Sequence, residues 1–134
     1  MKKLTTTNYS AAAFNVALLV LRVGFGALLA KHGYGKLTHF TEYQDKFMNF
    51  IDLGPTTSLG LSIFAEFFCS LLLIIGLFTR LVTIPLIINM AVALFMAHGG
   101  DILGKGEASA TYIIAFTAIL LLGPGKFSAD AQFK

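Results

Sequence analysis

The sequence has few charged residues and a single cysteine, and both shortages limit what the chain can be. Of its 134 residues, 56% are hydrophobic and only 13% are charged, with a mean hydropathy of +0.77. An average soluble domain has about 25% charged residues. So few charges exclude an ordinary soluble enzyme, a nucleic-acid-binding module and a disordered chain. One cysteine, Cys69, excludes an internal disulfide and dithiol chemistry within the chain. The composition indicates a membrane protein.

The apolar residues are concentrated in four stretches, at approximately residues 11–30, 59–78, 81–97 and 107–123. A helix needs about 20 apolar residues to cross a bilayer, with a range of roughly 17–25. The first three stretches satisfy this length, and the fourth is the shortest. We therefore predict an all-α protein, a four-helix transmembrane bundle that forms a single domain over residues 1–134.

The long connection between the first two stretches has an amphipathic pattern of its own. Its apolar residues recur at three- and four-residue steps, at Phe40, Tyr43, Phe47, Phe50 and Ile51. Thr41 is a candidate N-cap, and Gly54-Pro55 is a stop signal. We predict a short amphipathic helix that lies in the membrane interface or covers the helix ends at the mouth of the bundle.

An even number of spans places both termini on one side of the membrane. That side carries five Lys/Arg residues and the other side carries four, so the positive-inside rule favours cytoplasmic termini. The net charge of +3 is spread over the loops. Basic residues in such positions are typical of topology anchors rather than of a nucleic-acid interface.

Only two charged residues lie deep inside the predicted spans, and they have opposite signs. Arg22 is near the centre of the first span and Glu66 near the centre of the second. Counted from the surface opposite the termini at 1.5 Å per residue, the two residues lie at similar depths. We therefore predict a buried ion pair between them. Such a pair either fixes the register of two helices or forms a polar centre that binds a headgroup or moves a proton.

Other polar residues are candidates for the same layer. Asn89 in the third span and Tyr112 in the fourth could line a small polar pocket, although for Asn89 taken alone interhelical hydrogen bonding is the preferred explanation. The histidines show no metal-ligand spacing such as H-E-x-x-H, and although His32, His98 and Asp101 lie at one end of the bundle, we expect no metal site.

Three motifs resemble the DoxX family, in the order that the family has them. They are Arg22 to Gly26 followed by His32-Gly33-Tyr34-Gly35-Lys36, then Glu66 followed by Gly76-Leu77-Phe78-Thr79-Arg80, and last Gly123-Pro124-Gly125-Lys126-Phe127-Ser128-Ala129-Asp130. The resemblance implies a four-helix protein of the bacterial inner membrane with cytoplasmic termini. It also implies that Arg22 and Glu66 are central, that His32 and Lys36 lie at the outer mouth, and that Arg80 and Asp130 form a cytoplasmic ion pair.

The resemblance leaves several functions open. Some members resemble subunits of quinol-oxidising or other membrane oxidoreductase systems, which implies a redox-associated subunit. Such a subunit would bind a quinone or similar lipophilic substrate through Arg22, Glu66, His32, Lys36, Asn89 and Tyr112. The chain has no cofactor motif of its own, so whether it is an enzyme stays undecided. Its partners would be the lipid bilayer, other membrane redox proteins or further copies of itself. The alternatives are a non-enzymatic scaffold or assembly factor, and a transporter of small solutes or lipids.

Overall fold

The computed structural model describes residues 2–43, 54–97 and 99–133, and these residues form helices joined by short turns. The helices are α1 (Lys2–Thr5), α2 (Ala11–Thr38), α3 (Phe40–Tyr43), α4 (Pro55–Ile75), α5 (Thr79–Val92), α6 (Glu107–Leu122) and α7 (Ala129–Gln132). A π-helical turn, Ala93–Ala97, continues α5. No β-strand occurs in the described ranges, so the all-α prediction is confirmed.

Three of these helices are long and apolar enough to cross a membrane. They are Ala11–Thr38, Pro55–Ile75 and Thr79–Met96, with 28, 21 and 18 residues. The fourth apolar helix, Glu107–Leu122, has 16 residues and is the shortest, as the sequence predicted. The protein is therefore a membrane protein with three or four apolar helices. We call the end of the bundle near Ala11 and Thr79 the terminal end, and the other the opposite end.

Two helix boundaries differ from the predicted spans by four residues or more, and both lie at the opposite end. Helix α2 continues to Thr38, eight residues beyond the predicted end at 30. Helix α4 begins at Pro55, with Gly54 before it at φ 93°, so the Gly-Pro pair starts the second span. Proline suits a first helical turn because its missing N–H would have had no partner there.

The predicted interfacial helix lies mostly outside the described residues. Its first four positions form the short helix α3 (Phe40–Tyr43), which follows α2 almost directly. Residues 44–53 are not described, so the amphipathic helix over this connection stays a prediction.

Helices α2 and α4 pack closely because glycines of α2 face the backbone of α4. A Cβ atom added at Gly33 would lie 2.6 Å from the amide nitrogen of Phe67, and one added at Gly26 would lie 3.2 Å from the carbonyl oxygen of Ser70. These small residues of α2 therefore allow the two helices to pack closely. The antiparallel register that results decides which polar residues can meet.

Side chains from the four long helices fill the core between them. Its buried members are Leu29, Cys69, Leu73, Val82, Leu86, Met90, Tyr112, Phe116 and Ile119. Cys69 is buried in this cluster as a small apolar side chain.

Candidate functional site

Glu66 lies on an irregular part of α4. The helix is π-helical from Phe64 to Cys69, between two α-helical parts. Single π-helical turns within α-helices are rare and occur frequently at functional sites. Here the turn carries the charged residue of the span, and the side chain of Glu66 is only 4% exposed.

Three side chains donate hydrogen bonds to one oxygen of this carboxylate. Oε2 of Glu66 accepts from Nζ of Lys36 at 2.5 Å, from Oγ of Ser62 at 2.7 Å and from Nδ2 of Asn89 at 2.9 Å. Lys36 also donates to Ser62 at 3.0 Å. We call these four residues the Glu66 centre. It joins α2, α4 and α5, and its cation and anion are paired, as a buried charge requires.

The surroundings of the Glu66 centre are aromatic on one side and partly open on the other. Tyr112 is close enough to interact electrostatically with Glu66, and its ring contacts Phe25 edge-on and stacks on Phe116. Lys36 is 27% exposed, so the centre reaches the surface along this side chain. Within the described part of the chain, Oε1 of Glu66 has no hydrogen-bond partner.

Arg22 forms a second and separate centre near the terminal end. Its guanidinium donates to the carbonyl oxygens of Leu73 at 3.2 Å and Ile74 at 3.1 Å. It also donates to the carbonyl of Phe127 in the segment after α6, residues 123–133, which we call the tail. The side chain is fully buried. The carbonyls of Leu73 and Ile74 both belong to the last turn of α4; that of Leu73 also accepts from the N–H of Gly76 at 3.1 Å, and the last carbonyls of a helix lack partners within the helix. Arg22 therefore joins α2, the end of α4 and the tail.

The predicted ion pair between Arg22 and Glu66 is wrong. In the register of the two helices, Gly33 faces Glu66 and Phe67, and Gly26 faces Ser70. Arg22 is one turn further along and meets Ile74, which lies eight residues, about 12 Å, beyond Glu66 on α4. The depth count failed because α2 and α4 extend unequally past the predicted span ends. Lys36, from the extra turns of α2, is the partner of Glu66 instead.

A family model described as DoxX matches residues 17–99. The chain belongs to the DoxX family. The match spans α2 to α5 and includes both polar centres, while the tail motif lies beyond it. No curated protein and no solved structure matches the chain.

The DoxX positions at the terminal end meet differently from the prediction. Asp130 does not form its predicted ion pair with Arg80. Its carboxylate accepts from the backbone N–H groups of Phe78 at 2.8 Å and Thr79 at 2.9 Å. A carboxylate is favourable at this helix N-terminus, where N–H groups lack partners. The guanidinium of Arg80 donates to the carbonyl of Leu121 at 3.4 Å.

The remaining DoxX position, His32, is exposed and makes no contact with Glu66. Among the described residues, which exclude His98, no group of three or more His, Cys, Asp or Glu side chains could hold a metal ion. The structure thus brings together Lys36, Glu66 and Asn89, with Tyr112 beside them, and leaves Arg22 and His32 apart. Sequence reasoning did not include Ser62 among the site residues, although its spacing of four residues from Glu66 places both on one face of α4.

Proposed function

We propose that this DoxX-family protein binds the polar headgroup of a lipophilic molecule, of the quinone class, at the Glu66 centre. The observation that carries the proposal is the half-used carboxylate. Donors from three helices hold Oε2 of Glu66, while Oε1 has no partner within the described residues. Oε1 is therefore left as an acceptor for a hydroxyl group of a bound molecule.

The residues at the centre suit a molecule with carbonyl or hydroxyl groups on an aromatic ring. The second amide N–H of Asn89 can donate to a carbonyl oxygen, and Oε1 of Glu66 can accept from a hydroxyl. Phe25, which is partly buried and contacts Tyr112 edge-on, offers aromatic surface for stacking. Arg22, which the sequence placed in the site, donates through both terminal guanidinium nitrogens to backbone carbonyls near the terminal end, and it takes no part in this proposal.

We further propose that the protein is a redox-associated subunit of the bacterial inner membrane with cytoplasmic termini. The sequence has no iron–sulfur or dithiol motif, so the proposal assigns electron transfer to a partner membrane protein. Lys36 connects the buried carboxylate to the surface at the opposite end. In this proposal it provides the path by which a proton leaves Glu66.

The test is quinone identification by mass spectrometry after gentle extraction into lipid nanodiscs. We expect the wild type to retain a quinone, and Glu66→Gln and Lys36→Met to lose at least about 90% of it, a change of about 1.4 kcal/mol. Glu107→Gln and Lys31→Met are matched controls, because both side chains are exposed. Wild-type protein without quinone, or equal loss in the controls, would overturn the proposal.

A non-enzymatic scaffold is a second candidate. It is favoured because Arg22 joins α2 to the end of α4, and Asp130 joins the tail to the start of α5. Exchanging the charges with Lys36→Glu and Glu66→Lys separates the two functions. A scaffold would keep its partner in a pull-down after the exchange, whereas a quinone site would lose its ligand. Transport of small solutes or lipids is less favoured, because the chain has no internal inverted repeat.

A further inference from the structure

A pocket of about 710 Å³ lies at the terminal end, far along α4 from the Glu66 centre. It forms where the turn between α4 and α5 meets the tail. Phe78, Leu81 and Phe133 give it apolar walls, and each is at least half exposed. Because the turn joins two membrane-crossing helices, the pocket lies where lipid headgroups meet the hydrocarbon region.

Arg80 supplies the positive charge of this pocket and is held in a defined position. A Cβ added at Gly123 would lie 3.1–3.4 Å from the guanidinium, so the group lies flat against the backbone of the Gly-Pro turn. Its one hydrogen bond in the described part of the chain is the long one, 3.4 Å, to the carbonyl of Leu121. The other guanidinium N–H groups are therefore available to a ligand, while the side chain is already ordered.

The acidic residue of the pocket is bound by backbone N–H groups at the start of α5. The carboxylate of Asp130 accepts from the N–H groups of Phe78 and Thr79, one on each oxygen. It is directed at the start of α5 rather than at Arg80. The pocket thus combines an ordered guanidinium with a wall of exposed apolar side chains.

We propose that this pocket binds a phosphate group through Arg80, and that the phosphate is that of an anionic lipid in the leaflet on the terminal side. A guanidinium fork matches the oxygen atoms of a phosphate in geometry and charge. Phe78, Leu81 and Phe133 then contact the glycerol and the first methylene groups of the lipid. Free inorganic phosphate has the same charged group without the chains, so it fits Arg80 but leaves the apolar walls uncovered. This site is independent of the function proposed for the Glu66 centre.

The test is native mass spectrometry of the full chain in mixed micelles with phosphatidylglycerol or phosphatidylcholine. We expect Arg80→Gln to reduce retention of phosphatidylglycerol about tenfold, as loss of a charged hydrogen bond does, and Arg80→Lys to restore it in part. The control is Lys126→Gln, which removes an exposed cation from the same end of the protein. Because Arg80 is exposed, the melting temperature of each variant without lipid should stay close to that of the wild type.

A second arm separates the two sources of phosphate. Inorganic phosphate is titrated against the micelle-bound protein, and bound lipid is measured at each concentration. Retention that depends on Arg80 and resists millimolar phosphate supports the lipid site. Displacement by phosphate alone supports a site for the free anion at Arg80 and overturns the lipid. Equal losses in Arg80→Gln and Lys126→Gln overturn both, since they indicate only the general attraction of basic residues to anionic lipid.

Discussion

Arg22 and Glu66 are both charged, both buried and both inside membrane-crossing helices, but they are stabilised in different ways. Arg22 donates to three backbone carbonyls and is fully buried. Glu66 accepts from three side chains, and one of them, Lys36, is 27% exposed. Backbone partners hold elements of the fold in place, whereas side-chain partners can rearrange around a ligand.

The comparison indicates that intramembrane charge alone does not mark a functional residue. Both residues satisfy the general expectation that such charges are functional candidates. Their partners differ: Arg22 binds backbone carbonyls of the last turn of α4 and of Phe127, whereas Glu66 binds side chains, one of which reaches the surface. We therefore expect substitutions at Arg22 to change stability first and substitutions at Glu66 to change binding first.

The largest expected effect is that of Arg22→Met. The substitution removes the donor to the carbonyls of Ile74 and Phe127, and orphaned buried carbonyls cost about 1–3 kcal/mol each. We expect a loss of about 2–5 kcal/mol in the free energy of unfolding, measured by denaturation in SDS–lipid mixed micelles. Arg80→Met is the matched control, since Arg80 is exposed, and should cost less than about 0.5 kcal/mol. Equal losses would remove the structural role assigned to Arg22.

Gly33→Ala comes next and tests the packing that places Lys36 near Glu66. The added Cβ would lie 2.6 Å from the amide nitrogen of Phe67, a backbone atom that cannot move aside. Overpacking of this kind costs about 1–3 kcal/mol. It should also weaken ligand binding at the Glu66 centre, because α2 and α4 must separate.

The control for this substitution is Gly24→Ala on the same helix. Gly24 has nothing within 4 Å of an added Cβ, and alanine favours a helix over glycine by up to about 1 kcal/mol. The two substitutions should therefore change the free energy of unfolding in opposite directions. The same sign for both would mean that helix propensity, rather than close packing, decides the outcome.

A smaller effect is expected from a double-mutant cycle between Lys36→Met and Glu66→Gln. Because Lys36 is partly exposed, we expect a coupling energy of about 1 kcal/mol, within the range for contacting residues. A cycle between Arg22→Met and Glu66→Gln should give almost no coupling, since the structure separates the two residues. A coupling above about 1 kcal/mol in that second cycle would favour the ion pair that the sequence predicted.

The sequence predicted the apolar helices better than it predicted their ends, and the positions of the ends determine which residues meet at the site. Hydropathy falls after Ala30 because Lys31, His32 and Lys36 follow, yet the helix continues to Thr38. Those added turns carry Lys36 to Glu66. Charge signs and depth favoured Arg22 as the partner, since a sequence shows charged side chains but not register.

The Arg22 centre was harder to predict because its partners are backbone carbonyls. Every residue type has a backbone carbonyl. The identities of Leu73, Ile74 and Phe127 therefore do not indicate that they accept hydrogen bonds from Arg22. The motif that ends at Asp130 is recognisable in the sequence, and it predicted a contact between this aspartate and the turn that joins α4 and α5. The expected partner of Asp130 was the side chain of Arg80. In the structure its carboxylate accepts instead from backbone N–H groups of Phe78 and Thr79, next to Arg80.

The smallest predicted effect is that of Asp130→Asn, which tests whether the tail is attached through the start of α5. The amide keeps one acceptor oxygen and presents an NH₂ group to the second backbone N–H, so one hydrogen bond and the charge are lost. We expect about 1 kcal/mol of lost stability, as for other helix N-terminal carboxylates. Glu107→Gln is the control at the start of α6, where no side-chain capping hydrogen bond is observed among the described residues. This substitution should cost a few tenths of a kcal/mol of stability. If Asp130→Asn costs no more than the control, the tail is held by Arg22 and the hydrogen bond from the Asp130 amide to Gly76, and the terminal end depends on one buried cation.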